Sequence, residues 1–257
     1  MTSLPKILKL KDYITLCGSI LGIVSLICAS LGTRFFISLG FFLISLTLGT
    51  DLLDGYIARK TGTTNQFGIE LDSLSDSLTF GIAPAILIFQ AFRRGDFFDF
   101  IIIIGCICFA LGAILRLARF NISEEEGYTG VPTPLSCLII IVFFYTNYFY
   151  AFGLGGLEYQ FPDISYYILP ILLITIGWFN ITTHITIGDK SKSFYIFVLS
   201  FAPISPILGI IGLTNPNYIT SMIVFVFFLF SFSFLFGYCC VGFFKKSERN
   251  KDLKEPT

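Results

Sequence analysis

Residues 51–76 read DLLDGYIARKTGTTNQFGIELDSLSD, inside a chain that is otherwise mostly apolar. Asp51 and Asp54 are three apart, so they share one face of a helix. Gly68, Asp72 and Asp76 follow at intervals of four and form a stripe along the next helix. A short polar turn between the two helices would bring these faces together. Four carboxylates converging at low dielectric repel one another strongly. A divalent cation removes that cost, and an all-carboxylate set suits a hard ion such as Mg2+ or Mn2+. Arg59 would then meet a phosphate held at the same place. The competing reading is a charged, solvated loop between helices. It is disfavoured because carboxylates inside a membrane are costly and usually functional.

The remainder of the chain supplies that membrane. Of its 257 residues, 54% are hydrophobic, 17% aromatic and only 13% charged. Mean hydropathy is +0.81, and the apolar runs are long enough to span a bilayer. The formal net charge is zero, which gives no footprint for nucleic acid. The seven cysteines show no CxxC spacing and lie mostly in apolar runs, so they read as small core residues. The basic segment from Thr2 to Asp12 runs into an apolar stretch of spanning length, so no cleavable signal is expected.

The expected fold class is all-α, a polytopic membrane helix bundle of about eight transmembrane helices. The candidate spans are Tyr13–Leu31, Phe35–Ile57, Leu71–Phe92, Phe97–Leu117, Pro134–Phe152, Ile164–Thr183, Phe194–Leu213 and Ile219–Phe244. Residues 1–244 form one membrane domain and residues 245–257 a charged tail, expected to be disordered. The acidic loop Ser123–Gly130 is expected to be flexible. With eight spans both termini share a side, and that side carries 14 of the 17 Lys and Arg. The positive-inside rule makes it cytoplasmic, together with the turn between Asp51 and Asp76. Asp51 lies ~24 Å along its helix from Phe35, and Asp76 ~9 Å in from Glu70, against a hydrocarbon thickness of ~30 Å. Both helices therefore bring their aspartates to one depth, just below the cytoplasmic headgroups.

Asp51-x-x-Asp54-Gly55-x-x-Ala58-Arg59, then eight residues, then Gly68-x-x-x-Asp72-x-x-x-Asp76, resembles the motif of the CDP-alcohol phosphotransferase family. The resemblance implies a CDP-diacylglycerol-type lipid as donor and a two-metal mechanism, the pyrophosphate being clamped by ions on Asp51, Asp54, Asp72 and Asp76. It gives Asp76 the role of general base toward the attacking alcohol, which a carboxylate within hydrogen-bond reach can fill. Arg59 would add a phosphate contact. Gly55, Ala58 and Gly68 are small where the nucleotide approaches, although tight helix packing would also favour small residues. Thr15 stands where relatives often carry Pro-Asn-x-x-Thr and is a nucleotide-binding candidate. Asp12 departs from that pattern.

The residues beyond the shared motif resemble the serine-using branch of the family. That resemblance rests on Leu71–Asp76 continuing into Ser77-Leu78-Thr79-Phe80-Gly81-Ile82-Ala83-Pro84, and on Arg116-Leu117-Ala118-Arg119-Phe120-Asn121 followed by Gly130-Val131-Pro132-Thr133-Pro134. It implies L-serine as acceptor. Arg116 and Arg119 end the fourth span three residues apart, and a guanidinium can hold a carboxylate bidentately. Snorkelling arginines at a helix end are the plain alternative. Asn121, Ser77 and Thr79 complete the candidate serine site. A homodimer follows from the resemblance alone.

Two other features carry no chemistry by themselves. His184 is the single histidine. Gly18-x-x-x-Gly22 fits a helix–helix contact, either between two copies or within one chain. Rival functions remain. A related transferase using glycerol phosphate or inositol phosphate would need a richer cationic pocket. A divalent-cation transporter would distribute its charges across the bilayer. A membrane prenyltransferase would carry its metal motifs on well-separated helices.

Overall fold

The computed structural model describes residues 8–61, 65–122, 128–183, 186–187, 210–211 and 217–252. Among these, seven helices are long and apolar enough to cross a membrane. They are α1 (Leu10–Leu31), α2 (Arg34–Thr61), α3 (Gln66–Phe92), α4 (Asp99–Ile122), α5 (Thr133–Gly155), α6 (Asp163–Ile181) and α7 (Tyr218–Asp252). Seven of the eight expected spans coincide with these helices. The other, Phe194–Leu213, lies outside the described residues apart from its last few positions, as does His184.

The starts and stops follow ordinary chain chemistry. The Asp12 carboxylate accepts from the Lys9 backbone N–H at 2.7 Å and closes the first turn of α1. Gly32, at φ 71°, ends α1 in the left-handed conformation that glycine adopts without penalty. Asn65 caps α3, its side-chain oxygen accepting from the Gly68 N–H at 2.8 Å.

Two expectations about the loops need correction. The segment after α4 contains a short strand, Tyr128–Thr129, paired antiparallel with Thr186–Ile187. Two residues are too few to show a period of two in sequence. The tail expected to be disordered from Lys245 continues as helix through Asp252. Its Lys, Glu and Arg residues are good helix formers and no proline interrupts them before Pro256.

α5 is the hub. Apolar on all sides, it is the most deeply buried of the seven spans. Phe144 stacks on Phe41 of α2 at 4.2 Å between ring centroids, and Tyr145 on Phe228 of α7 at 5.3 Å. The Tyr145 hydroxyl would be costly to bury alone, and it donates to the Ser38 carbonyl at 3.1 Å. α4 and α6 cross at two glycines. A Cβ on Gly112 would sit 2.8 Å from the Gly177 Cα, so the backbones touch directly. α1 lies against α2 and α3. A Cβ on Gly18 would come within 2.9 Å of Thr50 Oγ1, and one on Gly22 within 2.6 Å of Thr79 Cγ2. The Gly18–Gly22 face is thus used inside the chain, the second of the two readings offered by the sequence. Large apolar side chains such as Ile20, Ile104, Ile171 and Phe230 point outward from four helices, as a lipid-facing surface requires.

α3 is not a uniform α-helix. Ser77–Ile82 forms a π-helical turn, and the Ala83 N–H bonds back five residues to the Leu78 carbonyl. Pro84 explains it. Proline has no N–H to give the Phe80 carbonyl, and its ring crowds that carbonyl in an α-helix. A wider turn relieves the clash. The turn begins one residue after Asp76.

Candidate active site

Asp51 and Asp54 come from the inner half of α2, and Asp72 and Asp76 from the first half of α3. Asp51, Asp72 and Asp76 each offer a carboxylate oxygen, and these three oxygens lie within 4.8 Å of one another. Asp54 stands beside them but is engaged elsewhere, its carboxylate accepting from the Thr15 hydroxyl at 2.8 Å. Asp54 and Thr15 are both buried. All four aspartates and Thr15 border one small polar cleft, whose other walls include Gly18, Thr47, Thr50, Ser75 and Thr79.

The local order is kept by hydroxyls. Ser19 donates to the Ser75 hydroxyl at 2.8 Å, and Ser75 reaches the Thr15 carbonyl at 3.3 Å. These bonds fix α1 to α3 at the level of the carboxylates. Gly68 lies where a Cβ would fall 2.6 Å from Lys11 Nζ and 2.7 Å from an Asp12 oxygen. Its smallness therefore admits two charged side chains of α1 beside the cleft. Lys11 and Asp12 are both buried and pair at 3.7 Å.

The donor set fits a hard divalent ion. It consists of carboxylate oxygens from two helices, close enough to share a cation. Neither ion pair formed among the described residues involves Asp51, Asp72 or Asp76.

The predicted serine residues are not gathered in one place. Arg116 is buried, donates to the Thr133 hydroxyl at 2.9 Å and lies close enough to Asp76 to act on it electrostatically. Arg119 points away and donates to the Ile181 carbonyl at 2.7 Å, capping the end of α6. Asn121 bridges Ser73 at 3.0 Å and Glu70 at 3.2 Å. Ser77 bonds back to the Ser73 carbonyl at 2.7 Å, and Thr79 to the Ser75 carbonyl at 2.9 Å. Of the five, Thr79 borders the cleft and Arg116 approaches Asp76. Gly55 follows Asp54 on α2, outside the described walls. The side chains of Ala58 and Arg59 lie outside the described residues.

Sequence reasoning passed over Thr47, Thr50, Ser75 and Lys11. Thr47 and Thr50 each stand four residues before an aspartate, so helical spacing carried onto the preceding turn would have found both.

A polar, carboxylate-lined cleft opening near one end of an apolar helix bundle defines a membrane-embedded protein that handles charged groups at the headgroup layer. Residues 8–179 match the model of the CDP-alcohol phosphatidyltransferase family, and the chain belongs to that family. It is 40% identical over 143 residues to the CDP-diacylglycerol–serine O-phosphatidyltransferase of Methanocaldococcus jannaschii, covering 56% of this chain and 64% of that protein. It is 36% identical over 146 residues to the archaetidylserine synthase of Methanothermobacter thermautotrophicus, covering 55% and 60%. The CDP-diacylglycerol–serine O-phosphatidyltransferase of Bacillus subtilis is 33% identical over 164 residues, covering 62% and 86%. The chain thus spans less than two thirds of the length of the first two relatives.

Proposed function

We propose that this protein transfers the phosphatidyl group of CDP-diacylglycerol, or of an ether-lipid equivalent, to the hydroxyl of L-serine, giving phosphatidylserine and CMP. The observation that carries the reading is the convergence of Asp51, Asp72 and Asp76 oxygens in a chain of this family. The names of the relatives supply the acceptor.

The serine oxygen forms a bond to the lipid-side phosphorus, and the bond from that phosphorus to the oxygen of CMP breaks. Asp76 accepts the hydroxyl proton as the oxygen attacks. Asp51, Asp54, Asp72 and Asp76 are the candidate holders of Mg2+ or Mn2+, which when bound would offset the pyrophosphate charge and that of the leaving CMP. Thr15 fixes Asp54 by its hydrogen bond. Gly68 leaves room for the nucleotide, and Gly55, Ala58 and Arg59 are carried over from the family motif. Arg116, beside Asp76, is the better candidate for the serine carboxylate, and Arg119 the weaker. The cleft faces the cytoplasm by the positive-inside count, and the protein works as a homodimer.

Purified protein supplied with CDP-diacylglycerol, Mg2+ or Mn2+ and labelled serine should release CMP and label the lipid. CMP release with glycerol phosphate or inositol phosphate, and none with serine, would transfer the reading to another branch of the family.

A further inference from the structure

At the opposite end of the bundle, ~26 Å along α2 from Asp51, lies a second cavity of about 360 Å³. Its described walls include Gly32, Arg34, Ile37, Gln90, Glu158 and Phe161. The Arg34 guanidinium is held over the Phe161 ring at 4.3 Å and donates to the Tyr159 carbonyl. Both contacts fix its position, yet Arg34 makes no ion pair among the described residues. Arg93 adds a second positive charge at the rim, its guanidinium 3.7 Å from where a Cβ on Gly32 would lie. The Gln90 side-chain oxygen is buried and has no hydrogen-bond partner. A buried acceptor left unpaired is costly, so a ligand that donates to it would be favoured.

We infer that this cavity binds a phosphate group flanked by a hydrogen-bond donor, as in the zwitterionic headgroup of a phospholipid in the leaflet opposite the aspartates. The phosphate would lie on Arg34 and Arg93, because a guanidinium presents several donors to phosphate oxygens. The ammonium would face Gln90 and Glu158. Glu158 acts electrostatically on Arg34 without pairing to it, so the cavity offers both signs of charge. The apolar walls at Ile37 and Phe161 suit the first carbons of the lipid tails. This inference is independent of the transferase reading, since the cavity shares no residue with the aspartate cleft.

Native mass spectrometry of the full chain in detergent tests it, with phosphatidylethanolamine, diacylglycerol and inorganic phosphate as separate probes. Wild type should retain a phosphatidylethanolamine but no diacylglycerol. Arg34→Gln should weaken retention about ten- to a hundredfold, the range for losing a charge-assisted hydrogen bond. Because Arg34 also anchors the turn at Tyr159, Gln90→Glu provides the second arm. It keeps shape, can pair with the arginines and repels phosphate, so it should fold and yet lose the lipid. Saturable binding of inorganic phosphate, lost in Gln90→Glu, would support the same site with a soluble source. Equal retention of every probe by wild type and Gln90→Glu would overturn the inference.

Discussion

Asp76 and Asp51 donate oxygens to the same cluster, yet their expected roles differ. Asp76→Asn removes the proposed proton acceptor and should lower turnover by ~10²–10⁴. It should leave CDP-lipid binding closer to wild type than Asp51→Asn does, because Asp51 is proposed only as a ligand. Single-turnover rates set beside equilibrium CDP-lipid binding would separate the two. Near-normal turnover in Asp76→Asn would remove it from the base role. The two arginines now part company as well. Arg116→Lys should raise the serine KM by about ten- to a hundredfold and the CDP-lipid KM much less, since lysine lacks the planar fork. Arg119→Lys should barely change either constant, because that guanidinium caps α6 at Ile181. Steady-state kinetics with both substrates varied would check the pair. These residues were easy to find by spacing. Their contacts were not, because three residues along a helix can separate a side chain buried beside Asp76 from one on the bundle's rim.

Helix crossings set the framework for those side chains. Gly112→Val should destabilise the α4–α6 contact by ~1–3 kcal/mol or more, since the added carbons meet backbone that cannot move aside. A thermal unfolding scan of the detergent-solubilised variant would show the loss. Apolar run length made most helices legible from the sequence, and the span least apolar on paper, α3, was placed by its aspartate spacing. The π turn was not legible. Pro84 read as one more motif residue, and only backbone hydrogen bonding reveals how the chain accommodates it. The strand pair between the α4–α5 and α6–α7 connections was hidden for a different reason. It depends on a pairing across nearly sixty residues and leaves no local pattern.

For the whole molecule, the division of labour runs from end to end. The carboxylates gather near one end, the aromatic core around α5 fills the middle, and the opposite end is knotted by Arg94, which pairs with Asp163 at 2.7 Å and covers the Tyr166 ring at 4.1 Å. Chelation acts on the first of these regions. Excess EDTA should abolish CMP release, and Mg2+ or Mn2+ should restore it while the far end stays intact. Following activity alongside the unfolding temperature would show whether the ion serves chemistry or fold. Full turnover in EDTA would remove the metal from the proposed function.

The π turn after Asp76 has the geometry of one surplus residue in a helix. Deleting any single residue between Ser77 and Ile82 would let α3 run as ordinary α-helix, but with its halves rotated by ~100° and shifted by ~1.5 Å relative to their present setting. Either Asp72 and Asp76 would leave Asp51, or Leu87 and Ile88 would leave the core in which they are fully buried. Substitutions along this turn change one side chain at a time. A deletion changes the phase of the whole helix, so the segment should tolerate diversity of residue and no variation in length.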